Sequence, residues 1–460
     1  MKNKSHRILK PLVICIYFIF CVLLSNTKAQ INNYLLDSTY VNITTIVDSS
    51  KCDVPWDIAW GGDNRLWFTN RSYILAYNFS TQKVDTVFNK GSGNYLGLTF
   101  HPNFKDTPEV FIAWDTAYYY ATGTQIRVFK YVYDSAMDVL FNEQELIRYF
   151  HQGEHSGGRL VTTLDRKLLI TTNDYVCTWD TSNNYYNGKV LRMNFDGTIP
   201  TDNPTMNNYL YTIGHRNAQG IIQLPSGSIY VSELGANSDE LNLLIPGKYY
   251  GWPASDGYTI WGSACNAWSI EFPIDAGMHP PSGIDWYSDT TIPEFNNCIL
   301  ESVLSFGGAI GGVIAYRLNS AGDSVVFKNH YFIGSGMKRI RDVAVAPDGS
   351  VYVISNDRAG ARIRKIERGS FNSVQNYNSK KSNLFVYPNP ASNEITIDNL
   401  PEGEITVEIK NIYGATVLCS NKISPENNKI NIEQLPAGLY YLHINGSSSE
   451  LAIKWFCKID

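Results

Sequence analysis

The sequence predicts an all-β protein: a six-bladed β-propeller followed by a small C-terminal β-sandwich. Three observations carry that expectation. A hairpin pattern recurs six times across about 330 residues, no helical periodicity separates the recurrences, and the composition changes near residue 369. Abundant Tyr, Trp, Asn and Gly with 18% charged residues also suit a β-rich extracellular chain.

The chain opens on a processing signal rather than on fold. Lys2, Lys4, Arg7 and Lys10 precede the apolar run LVICIYFIFCVLL, and NTKA offers a small-residue cleavage site before Gln30, so residues 1–29 read as a secretory signal peptide. The run is short and wrongly flanked for a membrane span, and no later segment is apolar for long enough. An exported, soluble protein without a transmembrane segment is expected. Removing the signal leaves 33 basic against 43 acidic residues. That balance excludes general nucleic-acid binding, which needs a basic face. Six of the eight cysteines remain, and in an exported chain they can form disulfides, but the sequence selects no connectivity among them. No CxxC or His/Cys cluster suggests zinc.

The repeat comes next, over residues 30–368. The segments DIAWGGDNRLWFTN, LGLTFHPNFKDTPEVFIAW, RLVTTLDRKLLITTND, QGIIQLPSGSIYVSELG, SGIDWYSDTTIPEFNNCIL and RDVAVAPDGSVYVISND each pair two short strands around a turn. With Ile58, Leu98, Leu160, Ile221, Ile284 and Val343 as equivalent positions, the intervals are 40, 62, 61, 63 and 59 residues. Such spacing fits propeller blades with the repeated strand innermost and is long for the rungs of a β-helix.

In a propeller, residues just before an innermost strand sit at one mouth of the central channel. His155, in HQGEHSGGRL, lies five residues before Leu160, and Arg216 lies five before Ile221. Arg339 and Arg341 lie four and two before Val343, with Ser92 and Ser282 in comparable places. These groups are expected to converge on one site. Three arginines beside Lys338 in an acidic protein point to an anionic ligand, because guanidinium groups grip carboxylates bidentately. Lys189 and Arg192, in GKVLRMN, are assigned to a strand and its surface.

Residues 45–368 resemble the soluble quinoprotein glucose/sorbosone dehydrogenases, which use pyrroloquinoline quinone (PQQ). The resemblance rests on LGLTFHPNFKDTP, EHSGGRL, NGKVLRMNFDGTIPTDNP, YTIGHRNAQG, SELGANSDELNLLIPGKYYGWP and KRIRDVAVAPDGSVYV, in that order. It implies a six-bladed propeller oxidising an aldose sugar and passing electrons to an external acceptor. By resemblance, His155 takes the proton of the anomeric hydroxyl while hydride passes to the quinone. Arg216, helped by Asn217, polarises the quinone carbonyl. Arg339 and Arg341 hold the cofactor's carboxylates, and Lys338 stands beside them. The backbone carbonyls of Gly235 and Ala236 ligate a calcium ion. Glu154 stands where glucose-oxidising members have an aspartate, and so faces the base or the sugar. Ser232, Glu233, Asn237, Ser238, Asp239 and Glu240 form an oxygen-rich run that surrounds the calcium carbonyls or is a solvated acidic loop.

The chain departs from the family pattern at Ser92 and Leu234, where glucose-oxidising members have glutamine, and in SVLSFGGAIGG, which lacks their lysine. These departures point to the alternative, a non-catalytic secreted propeller that binds a sugar or protein partner. A calcium-dependent hydrolase propeller leaves the arginines unexplained.

The polar stretch 369–382 reads as a linker. Residues 383–460 follow as short strands punctuated by Pro, Gly and Asn. YPNPASNEITI, IYGATVL and LPAGLYYLHI resemble the C-terminal sorting domain of the type IX secretion system. That resemblance implies engagement of the type IX machinery, passage through the outer membrane, and release or surface anchoring.

Overall fold

The structure is a computed structural model. It describes residues 31–116, 124–151, 155–172, 174, 186–257, 259–260, 269–304, 311–333, 335–337, 339–356, 360–369, 384–403, 405–411, 416–446 and 450–459. Among the described residues there is no helix; every regular element is a strand. The chain divides into two compact units, residues 1–370 and 371–460.

Among the described residues, six antiparallel sheets of four or five strands form the blades of the first unit, and Ser255–Asp256 pairs with Thr259–Ile260 in a small seventh sheet. Blade 1 runs outward from Pro55–Trp60 through Leu66–Asn70 and Tyr73–Asn78 to Lys83–Asn89. Blade 2 starts at Asn94–Phe100, blade 3 at Gly157–Thr162, blade 4 at Ala218–Gln223, blade 5 at Pro281–Tyr287 and blade 6 at Ile340–Val345. These six strands pack in a ring, each against the next and the sixth against the first. All six repeat positions read from the sequence fall on them. Short turns within blade 1 explain the 40-residue first interval.

Chain closure is the feature that the repeat did not disclose. Tyr40–Val47 pairs with Arg362–Arg368 and completes blade 6 from the N-terminal side, with Ile31–Leu35 added outside it. This pairing ties the two ends of the propeller together, so opening the ring would break a whole strand ladder.

Second strands are covered on both faces by neighbouring blades, which is why they read as continuous apolar runs rather than alternating ones. Leu66–Asn70 and Val351–Ser355 are buried at every position. Leu96, Phe111, Val128, Leu160, Leu168 and Ile170 form one core between blades 2 and 3. Each fully buried side chain of this kind contributes about 1.5–3 kcal/mol.

In the second unit, Phe385–Tyr387, Glu394–Asp398 and Lys429–Asn431 form one sheet. Thr416–Ile423, Ile405–Asn411, Gly438–Gly446 and Glu450–Lys458 form another. Ile405–Asn411 buries alternate residues, and Ile395, Ile397, Val407, Ile409, Leu442 and Phe456 share one core between the sheets.

Candidate functional site

Every innermost strand breaks register once near its start, between Pro55 and Ile58, Tyr95 and Leu98, Gly157 and Leu160, Ala218 and Gly220, Pro281 and Ile284, and Ile340 and Asp342. A bulge bends the strand and redirects the residues before it. In EHSGGRL the two glycines permit this. Gly157 and Gly158 have φ of 59° and 81°, and a Cβ on Gly158 would lie 2.6 Å from Leu96 Cδ1.

His155 therefore stands at the mouth, with its side chain 20% exposed. Its Nδ1 lies 2.7 Å from Asp174 Oδ1, and the Asp174 amide donates to Arg216 O at 2.8 Å. Asp174 was not singled out from the sequence. It follows the second strand of blade 3, Lys167–Thr172, whose antiparallel course ends at the mouth where the first strand begins. The recurrence of TTND and ISND at such ends was the available signal.

Arg216 is braced from beneath. Its amide donates to the Glu233 carboxylate, whose other oxygen lies 2.8 Å from Nδ1 of the fully buried His215. Thr212 holds the opposite imidazole nitrogen at 2.9 Å, and the ring stacks on Tyr250 with centroids 4.7 Å apart. The Arg216 guanidinium donates from Nη1 to Leu234 O (2.9 Å) and Gly235 O (2.7 Å) and lies 5.2 Å from the Trp252 ring. Its Nε is buried with no hydrogen-bond partner. Asn217 is buried, and its Oδ1 accepts from Gln219 at 2.5 Å, so its side chain is engaged within the blade.

Arg339 occupies the left-handed region, with φ of 45°. A non-glycine residue held there is uncommon, and such strain clusters at functional positions. Asn356, which follows the second strand of blade 6, accepts from Arg339 Nε at 2.9 Å. Arg341 is buried, its guanidinium 3.5 Å from the centroid of the Trp56 ring. The structure thus brings His155, Arg216, Arg339 and Arg341 to the starting ends of innermost strands around one mouth.

Other expected residues fare differently. Ser92 is exposed, while Ser282 is fully buried inside blade 5 and presents nothing to the mouth. Ala236 is exposed and Gly235 half-buried. Glu154, Lys338 and residues 305–310, within the segment that lacks the family's lysine, lie outside the described residues. The oxygen-rich run divides: Asn237 is exposed and Ser238 half-buried, whereas the other four are not solvated. Ser232, Glu233, Asp239 and Glu240 are buried and hydrogen-bonded: Asp239 accepts from the Gly235 and His279 amides at 3.2 and 2.8 Å, and Glu240 from the Gly257 amide. Lys189 and Arg192 do lie on a strand, Lys189–Asn194, but not on its surface. Lys189 is fully buried and donates to Asn187 O at 2.7 Å, and Arg192 is buried and pairs with Asp165 and Asp202.

The sequence profile of the glucose/sorbosone dehydrogenase family matches residues 52–365. The chain belongs to that family. A profile described as a secretion system C-terminal sorting domain matches residues 385–458. Quinoprotein glucose dehydrogenase B of Acinetobacter calcoaceticus is 34% identical over 248 residues, 45% of this chain. That match spans about half, 52%, of the relative's own length. Aldose sugar dehydrogenase YliI of Escherichia coli is 25% identical over 366 residues, 70% of this chain and 92% of the relative. Among solved structures, the PQQ-bound aldose sugar dehydrogenase of Streptomyces coelicolor superposes with a TM-score of 0.58 at 23% identity, over 71% of this chain and 98% of that one. The soluble aldose sugar dehydrogenase of Escherichia coli, in its apo form, gives 0.59 at 23% identity over 72% and 100%. These structures share the propeller fold.

Proposed function

We propose that the chain is an exported, PQQ- and calcium-dependent dehydrogenase that oxidises an aldose at its anomeric carbon, with His155 as general base. The observation that carries this reading is the 2.7 Å pair between His155 Nδ1 and Asp174, set at a mouth that also holds three arginines. An ionised carboxylate only accepts hydrogen bonds, so it fixes the proton on Nδ1 and leaves Nε2 as the acceptor. A positioned neutral imidazole can then take the proton of a sugar hydroxyl near neutral pH.

The residues present fit the cofactor. Arg339 and Arg341 would hold carboxylates, and Arg216, whose buried Nε lacks a partner, would place positive charge where negative charge develops. Among the described residues no group of three or more His, Cys, Asp or Glu side chains could hold a metal ion. Calcium would therefore rely on backbone oxygens, which it accepts readily. Gly235 and Ala236 would supply them. Gly235 O already accepts from Arg216 and has a second lone pair to offer. When bound, PQQ supplies the two-electron acceptor that no side chain of the protein provides. Lys338 would add charge beside the arginines, and Glu154 would face the sugar. The sorting-domain match supports delivery by the type IX system to the cell surface or beyond.

The test is sugar-dependent reduction of an artificial electron acceptor by purified protein loaded with PQQ and calcium, across a panel of aldoses. Turnover with at least one aldose is expected. Bound PQQ without turnover on any sugar would sink the reading and leave a binding propeller, the outcome toward which Ser92 and Leu234 point.

A further inference from the structure

One level of the channel has a composition unlike the rest. The residues immediately before the six repeat positions are Asp57, Gly97, Arg159, Gly220, Gly283 and Asp342. Three blades thus contribute a charged group and three contribute no side chain at all. The glycines make room: a Cβ on Gly283 would lie 1.5 Å from Asp342 Oδ1, and one on Gly97 would lie 2.3 Å from Gly158 O.

Arg159, only 3% exposed, crosses this level. Its Nη1 lies 2.5 Å from Asp342 Oδ2 and 3.0 Å from Asp57 Oδ2. Its Nη2 donates to the backbone carbonyls of Trp56 and Arg341, both at 2.9 Å. Those two residues form the stack at the mouth, with the Arg341 guanidinium 3.5 Å from the Trp56 ring centroid. The carboxylates are tied in turn to the strands, because Asp342 accepts from the Ile58 amide at 2.9 Å and Asp57 from the Leu98 amide at 3.1 Å. Burial holds the Asp57 carboxyl well above its ordinary range against the pull of Arg159. Beyond this level, toward the far mouth, the inner strands line a cavity of about 620 Å³.

We propose that Arg159 is a positioning residue: its single buried guanidinium, threaded across the channel between Asp57 and Asp342, fixes the Trp56–Arg341 stack and closes the floor beneath it. From blade 3, one planar fork reaches two carboxylates and two carbonyls in blades 1 and 6, a geometry that a lysine ammonium cannot reproduce. For the cofactor, this deepens the reading above and rests on it: Arg159 acts on the carboxylate grip through Arg341 without touching the ligand.

The first readout needs no cofactor. In protein labelled at its 10 tryptophans, the Trp56 indole resonance, assigned with Trp56→Phe, should shift in Arg159→Lys as it does in Arg341→Gln. The Trp67 resonance, from the second strand of blade 1 and outside the stack, should stay in place. An unmoved Trp56 signal would overturn the proposal. Should Arg159→Lys fail to fold, Asp342→Asn removes the partner at 2.5 Å and is read the same way. The second readout is the dissociation constant for PQQ at fixed calcium. Arg159→Lys and Arg341→Gln should each weaken binding about tenfold, the scale of one charge-assisted hydrogen bond. The double variant should bind no more weakly than Arg341→Gln alone. Independent, additive losses would show that Arg159 does not act through Arg341. If wild-type protein binds no PQQ, the functional reading fails while the indole signal still decides this one.

Discussion

Blades 3 and 5 place a histidine at the same step of the repeat, His155 five residues before Leu160 and His279 five before Ile284. In blade 3 the ring stands at the mouth, and Asp174 accepts from Nδ1 at 2.7 Å. In blade 5 the ring is drawn inward. His279 Nε2 lies 2.8 Å from Tyr316 OH, which lies 3.3 Å from Glu301 Oε1. Burial, with Lys328 adding to it, depresses the His279 pKa to about 3, and burial pushes the fully enclosed Glu301 well above the usual carboxylate range. One histidine can exchange a proton with a ligand; the other is a neutral spacer in a buried chain of hydrogen bonds. Repeat position delivers a residue to a rim, and the neighbouring strand then decides whether it faces outward.

The comparison can be broken most directly at His155. His155→Gln should lower kcat by about 10²–10⁴, the contribution of a positioned acid–base group, while PQQ affinity changes little. Asp174→Asn should cost less, roughly 10–100-fold, because it loosens the imidazole without removing it. Turnover at the wild-type level in either variant would detach the pair from the chemistry. His279→Leu should do the reverse, leaving kcat unchanged and destabilising the fold by about 1–3 kcal/mol in urea unfolding, since it strips Tyr316 of its imidazole partner.

The smallest effect is one of slope. His279 falls from 6.5 to about 3, so its contribution is complete above the unfolded value and lost as pH drops toward the folded one. Asp285 moves the other way, raised by burial from 3.8 to about 7, so its contribution is present at low pH and lost as pH rises through about 7. The two oppose each other between roughly pH 4 and pH 6.5. Asp285→Asn should remove the falling component and leave the His279 rise unopposed, so that stability climbs more steeply between pH 4 and 6.5 than in the wild type, and unfolding curves that keep the wild-type slope would contradict the assignment.

How much of this could be read beforehand follows from where each partner lies. Ile58, Leu98, Leu160, Ile221, Ile284 and Val343 were legible because a strand–turn–strand unit writes its period into local sequence. His155, Arg216, Arg339 and Arg341 were legible as offsets from that period. Asp174 and Asn356 needed the further step that an antiparallel second strand ends where the first begins. His279 sat at the offset of His155 and passed unnoticed beside Ser282. Arg159 was in view within EHSGGRL and shares its repeat offset with Asp57 and Asp342, but that its side chain crosses the channel to a partner 183 residues away is not written in the period. Closure of the ring by Tyr40–Val47 was hidden for the same reason: pairing with Arg362–Arg368 joins the two ends of the propeller. The buried state of Ser232, Glu233, Asp239 and Glu240 was hidden too, because an acidic run reads as solvated until the groups it caps are seen.

The central claim is that the mouth carrying His155 and the three arginines is a cofactor site. Equilibrium titration of PQQ into the purified propeller in the presence of calcium, followed by absorbance, tests it most directly. The account predicts saturable binding of one PQQ per chain, weakened in Arg341→Gln. An absence of binding at micromolar concentrations, or binding indifferent to that substitution, would contradict it.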